Sequence, residues 1–115
     1  MSERHFRIAG ENIKPLAEGF GGCFATDAIT VEGRKVGYMY REKPDLPEDS
    51  GWRFFSGTES QEYLEDPDHT TIYDVNTIAN YDPAIIPLLN SAVGSAFERR
   101  GLFKKFVAVP FEAEE

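Results

Sequence analysis

Apolar positions fall into short clusters separated by glycine, proline and acids, and no long stretch carries a helical period. The clearest cluster is Gly51-Trp52-Arg53-Phe54-Phe55-Ser56-Gly57. A period of two puts Trp52 and Phe54 on one face and Arg53 and Phe55 on the other. Aromatics on both faces, with a glycine at each end, predict a central strand buried on both sides. Arg53 in such a place needs a carboxylate or carbonyl partner, and Asp74 is the candidate for an ion pair between strands. Together Trp52, Arg53, Phe54, Phe55 and Asp74 make the expected structural core motif.

Similar reasoning divides the rest of the chain. Gly21-Gly22 leads into a short strand, Cys23-Phe24-Ala25-Thr26. Ile29-Thr30-Val31 and Val36 to Arg41 read as a hairpin turning through Glu32-Gly33-Arg34-Lys35, where the glycine supplies positive φ. Val36, Tyr38 and Tyr40 then share one face, and Gly37, Met39 and Arg41 the other. Two prolines and several acids make 43–50 a loop. The acidic segment 58–68 predicts a helical turn ending at Pro67, and Thr70 to Val75 a strand. Asp82-Pro83 is a helix start, Asp as cap and Pro at the first position, opening a short apolar helix over Ala84 to Leu89. Near the N-terminus, Asn12 to Glu18 could form one helical turn, capped by Asn12 and stopped by Gly19. In the last third, Ser91 to Arg100 reads either as a helix or as half of a hairpin. The hairpin pairs Ser95–Glu98 with Phe103–Val109 through Arg100-Gly101. It is preferred because Pro87 and Gly94 weaken a long helix. The sum is an α+β fold: a mainly antiparallel sheet of about five or six short strands with one or two short helices packed on it.

Length and composition agree with a single domain. The chain has 115 residues, with an irregular segment over 1–21 and a frayed acidic tail over 110–115. A hydrophobic fraction of 41% and an aromatic fraction of 13%, with nine phenylalanines, exclude a disordered chain. Charge narrows the partners. Twelve Lys and Arg against 20 Asp and Glu give a net charge of -8. That field repels phosphate backbones and anionic membranes, and it favours a basic protein partner. The clearest basic cluster is Arg99, Arg100, Lys104 and Lys105. Acidity also keeps proteins soluble, so the sign alone names no partner. One cysteine rules out an intrachain disulfide and suits a reducing compartment. The N-terminus opens no apolar run and no apolar stretch reaches spanning length, so the expected location is cytoplasmic.

Candidate chemistry is sparse. Cys23 as a nucleophile would need a base, and His5 and His69 are the only histidines. A small buried hydrophobe is the better reading of this cysteine. Asp45, Glu48 and Asp49 lie together in a loop but lack the alternating acids, Gly and distant Glu of a calcium loop. No phosphate loop, dinucleotide fingerprint, nucleophile elbow or Cys/His metal spacing occurs. Neither a cofactor nor a metal is implied, and no residue is assigned to catalysis.

Three segments in order carry a resemblance: Ile29 to Glu42, Asp49 to Gly57 with its Gly-Trp-Arg-Phe, and Ile72 to Pro83. Over residues 22–107 the chain resembles the bacterial family of predicted immunity proteins numbered thirty-three, earlier filed as a domain of unknown function. The resemblance implies an α+β domain that protects a bacterium by binding and blocking a toxin encoded nearby. It carries over no catalytic residue. The expectation is therefore a protein-binding domain and not an enzyme, with oligomeric state open. Its contact surface is placed on the acids Asp45, Glu48, Asp49, Glu59, Glu62 and Glu65. One alternative is a small-molecule site or enzyme cleft near Cys23, Trp52 and Arg53. Another is a homo-oligomeric module joined through an edge strand. Full burial of Trp52 and Phe54 with a paired Arg53 would argue against the cleft.

Overall fold

Three segments, residues 6–44, 46–100 and 105–111, are described by the structure, a computed structural model. Six strands line up in the order β4-β1-β3-β2-β5-β6. They are β1 (Gly22–Thr26), β2 (Tyr38–Arg41), β3 (Asp49–Phe55), β4 (Thr70–Asp74), β5 (Ala96–Arg100) and β6 (Lys105–Ala108). Only β1 and β3 run parallel; every other neighbouring pair is antiparallel. Three short helices accompany the sheet: α1 (Asp27–Thr30), α2 (Gln61–Glu65) and α3 (Val75–Tyr81). 3-10 turns cover Gly10–Asn12, Pro67–His69 and Pro83–Leu88. The α+β class and the mostly antiparallel sheet are as the sequence predicts.

Side-chain caps set the starts of α2 and α3. Ser60 accepts from the Tyr63 N–H at α2, and Asp74 accepts from the Asn76 N–H at α3. Asp82 accepts from the Ala84 N–H ahead of Pro83, the predicted start, although the segment closes as a 3-10 turn. Each cap satisfies an N–H that the first turn leaves without a partner.

Helices α1 and α3 cover one face of the sheet. Cys23 and Ala25 of β1, Met39 of β2 and Trp52 and Phe54 of β3 pack there against Ile29, Val75, Ile78 and Ala79, and against Ile85 and Leu89 of the 3-10 turn. Trp52 and Phe54 are fully buried, their rings stacked 6.0 Å apart. The Trp52 indole N–H donates to the Leu89 carbonyl at 3.2 Å, which makes burial of that polar atom tolerable. Burying side chains of this size stabilises the fold by about 1.5–3 kcal/mol each. The N-terminal segment is tied to this layer by Asn76, whose Oδ1 accepts from the Leu16 and Ala17 N–H groups at 2.7 Å.

Several expectations are corrected. Ile29 and Thr30 belong to α1, so the 29–41 hairpin does not exist; β2 instead pairs with β3 and β5. The β-branched residues mimic a strand, but Ile29 and Thr30 are fully buried beneath the sheet, and burial overrides their local preference. Val36 lies in the core and not with Tyr38 and Tyr40, because the strand period begins only after Gly37. The predicted turn over Asn12 to Glu18 is replaced by the earlier 3-10 turn, and residues 76–81, which carried no helix prediction, lie in α3. Asp74 is exposed and caps α3, so it is neither core nor the partner of Arg53. Phe55 is half-buried on the opposite face from Trp52, so β3 is dry on one side only. At the C-terminus the hairpin reading holds for β5 and β6, while the turn at Gly101 and residues Phe103 and Lys104 lie outside the described residues.

Candidate functional site

The face opposite α1 and α3 carries the unexplained side chains. Strand register aligns Ile72, Phe24, Arg53, Tyr40 and Ala96 in one row across five strands. In the next row Phe55 lies opposite Tyr38, and Tyr38 opposite Glu98. Helix α2 stands over one end of this face and contributes Leu64. Large apolar side chains remain in contact with solvent here: Ile72 is 68% exposed, Leu46 58%, Leu64 40% and Phe24 37%.

Arg53 organises the first row. Its Nε donates to Glu42 Oε2 at 2.6 Å, and its two terminal nitrogens donate to Asp49 Oδ1 at 2.9 Å and Oδ2 at 2.8 Å. The guanidinium also stacks over the Phe24 ring, 4.5 Å from its centroid. Asp49 and Arg53 reach each other because a bulge opposite Gly22–Phe24 inserts Ser50 and Gly51 into β3. Ser50 Oγ donates to the Gly22 carbonyl and accepts from the Trp52 N–H, replacing ladder bonds lost at the bulge. Burial disfavours the Arg53 cation, but the bonds to Asp49 and Glu42 outweigh it and raise its pKa. The same Arg53 bond holds the Asp49 carboxyl below its ordinary value.

Aromatic rings bridge the first and second rows. Tyr38, Tyr40 and Phe55 form a triangle with centroids 5.8–6.0 Å apart, and Phe111 stacks on Tyr40 at 4.8 Å. A hollow of about 320 Å³ opens between Tyr38, Tyr40, Phe55, Leu64, Glu59 and Glu98. A second, of about 230 Å³, lies between Phe24, Leu46, Ile72 and Glu48.

The six acids chosen from sequence fare differently. Glu48, Glu62 and Glu65 are exposed, whereas Asp49 is committed to Arg53. Glu59 turns inward: Oε2 accepts from Thr26 Oγ1 at 2.5 Å and from the Ser56 N–H at 2.8 Å, and Oε1 from the Gly57 N–H at 3.0 Å. Burial alone would push the Glu59 carboxyl up, but these bonds win and hold it below its ordinary value. Asp45 lies outside the described residues. Sequence reasoning missed Tyr38, Tyr40, Leu64, Glu98 and Phe111 as a cluster. The period of two had placed Tyr38 with Tyr40; what it lacked was the pairing that sets Phe55 beside them.

The cleft alternative finds hollows beside Cys23 and Arg53 but no free reactive group in them. Cys23 and Trp52 are buried in the core and Arg53 is fully paired. Burial, reinforced by the nearby Asp74 charge, pushes the Cys23 thiol far above its ordinary value, opposite to what a nucleophile needs. His69 stacks on Tyr63 at 3.9 Å and donates from Nδ1 to the Tyr63 carbonyl. His5 lies outside the described residues. Among the described residues no group of three or more His, Cys, Asp or Glu is placed to hold a metal ion, and no helix is long and apolar enough to cross a membrane. In the basic cluster, Arg99 pairs with Asp82 at 2.9 Å and stacks on Phe106, and Arg100 pairs with Glu98 at 2.8 Å.

No curated protein and no solved structure matches the chain. Its sequence does match the Immunity protein Imm33 domain over residues 23–109, a span that runs from the second residue of β1 past the end of β6. With most of its length inside that match, the chain belongs to the Imm33 immunity protein domain family.

Proposed function

We propose that this protein neutralises a partner toxin by binding it, without catalysis, through the sheet face opposite α1 and α3. The observation that carries the reading is the one-sided covering of that sheet. Helices bury Trp52, Phe54 and Met39, while Phe24, Leu46, Leu64 and Ile72 stay exposed on the other side. An apolar patch rimmed by polar groups is the usual mark of a protein contact surface. The acids around it, Glu42, Glu48 and Glu98, suit a basic partner and would steer its approach more than they add affinity. The buried thiol of Cys23 and the core position of Trp52 favour binding over chemistry.

Co-expression tests the proposal. A toxin gene adjacent to the one encoding this chain should stop growth alone and be tolerated when this protein is made with it. The purified pair should form a complex in size-exclusion chromatography. Growth arrest that persists, with no complex formed by any neighbouring gene product, would refute it.

A further inference from the structure

Within the proposed binding face, the hollow between Tyr38, Tyr40, Phe55, Leu64, Glu59 and Glu98 has the chemistry of a receptor for a positively charged side chain. The molecule already contains one filled site of this type. Arg53 sits over the Phe24 ring with its donors on Glu42 and Asp49, so an aromatic face and two carboxylates hold a guanidinium. The adjoining hollow repeats the ingredients without the cation. Tyr38, Tyr40 and Phe55 line it, Tyr40 already stacked on Phe55 and Phe111, and two glutamates supply charge.

The two carboxylates differ in a useful way. Glu59 is fixed by bonds from Thr26, Ser56 and Gly57, all uncharged donors, and no Lys, Arg or His pairs with it among the described residues. It is a preorganised anion without a counter-ion. Glu98 pairs, among the described residues, with Arg100, across a bond whose two side chains are 44% and 62% exposed, and such exposed pairs are weak enough to exchange. A cation between the rings would gain both the ring quadrupoles and an anion already oriented for it.

Resting on the reading that this face binds a toxin, we propose that the hollow takes an arginine side chain of the toxin. The guanidinium would stack on the Tyr38, Tyr40 and Phe55 wall and bond Glu98 and the free lone pairs of Glu59. Arginine fits better than lysine because its planar fork both stacks and donates to two acceptors, as Arg53 does next door.

Two probes keep the site separate from the toxin reading. In the first, the peptide acetyl-Gly-Arg-Gly-amide is titrated into the isotope-labelled protein, with the citrulline peptide as the uncharged match. The arginine peptide should shift the amides of Tyr38, Tyr40, Phe55 and Glu98 in a saturable way with a dissociation constant of about 1 mM or above, and the citrulline peptide should not. Glu98→Gln, a surface change that leaves the Glu59 bonds in place, should weaken the arginine effect. Tyr38→Leu should do the same, with unfolding midpoints showing that both variants fold. Equal shifts from both peptides, or shifts scattered over the acidic surface and indifferent to Glu98→Gln, would overturn the site. In the second, a toxin that binds the wild type should bind Glu98→Gln and Tyr38→Leu at least about tenfold more weakly, the scale of a hot-spot residue. Unchanged toxin binding by both variants would sink the proposed occupant while leaving the immunity reading intact. Loss of the toxin complex in the wild type, with the arginine peptide still bound, would overturn the toxin as occupant and the immunity reading together.

Discussion

Arg53 shows how one side chain turns a sequence anomaly into an architectural part. Within a strand of aromatics it looks misplaced, yet it is only 6% exposed and every carboxylate near it is used. Asp74, the partner suggested by strand spacing, is spent on a helix cap; Asp49 and Glu42, from the residues flanking the β2–β3 connection, take the role instead. Replacing Arg53 by Met would keep the bulk and leave two carboxylates facing each other without a cation. The expected loss at neutral pH is roughly 2–4 kcal/mol, below the full cost of a broken buried pair because Glu42 keeps much of its exposure to water. The pH response gives a sharper check. Asp49 has a folded pKa below its ordinary 3.8, mainly through the Arg53 bond. Its contribution is therefore present above that value and fades as pH falls through the lower folded one. Urea unfolding of the wild type should show this loss on moving from pH 5 to about pH 2.5, and Arg53→Met should show a flatter acid limb. Parallel curves for the two proteins would assign the acid sensitivity to other groups.

Among the elements, β3 was the most legible and the connections around it the least. Trp52 and Phe54 alternate in a strand bounded by Gly51 and Gly57, so its central place was readable from period and composition alone. Invisible in sequence was the bulge. Gly51 has φ near +90°, and a Cβ there would run into the Glu42 carbonyl. Gly57 has the same φ but open space, with no atom closer than 3.8 Å to an added Cβ. The two glycines thus separate strain from crowding. Gly57→Ala should cost about 1–2 kcal/mol from backbone strain alone. Gly51→Ala should cost roughly 1–3 kcal/mol more, since a ladder carbonyl must move. Denaturant midpoints of the pair measure the difference, and equal losses would remove the crowding argument. Helices α1 and α3 escaped prediction for a related reason. Ile29, Val75, Ile78 and Tyr81 are residues that favour strands, and their burial in the core cluster with Trp52 and Phe54 overrides that preference. The candidate face was half legible: Tyr38 and Tyr40 shared a period, but their meeting with Phe55, Leu64 and Glu98 depends on long-range strand order.

For the whole molecule, the arrangement is one helical layer, one sheet and one open face. A sheet with one dry side usually turns polar residues toward water on the other. Here the outer residues Phe24, Tyr40, Phe55 and Ile72 break that alternation, and retaining them makes sense where something else is to cover them. Ile72 is the most informative position. It lies on β4, an edge strand, and is 68% exposed, so its side chain does little for the fold. Ile72→Thr keeps a β-branched strand former and should change stability by less than about 0.5 kcal/mol. If the open face is the toxin contact, the same substitution should weaken the complex several-fold, chiefly through faster dissociation, measured by surface plasmon resonance. Edge pairing between copies of this chain predicts something else: a dimer whose proportion rises with concentration and falls in Ile72→Thr, with toxin affinity unchanged. Sedimentation of the free protein beside the binding measurement separates the two outcomes. A toxin complex indifferent to Ile72→Thr would confine the contact to the aromatic hollow and its acids, away from the β4 edge.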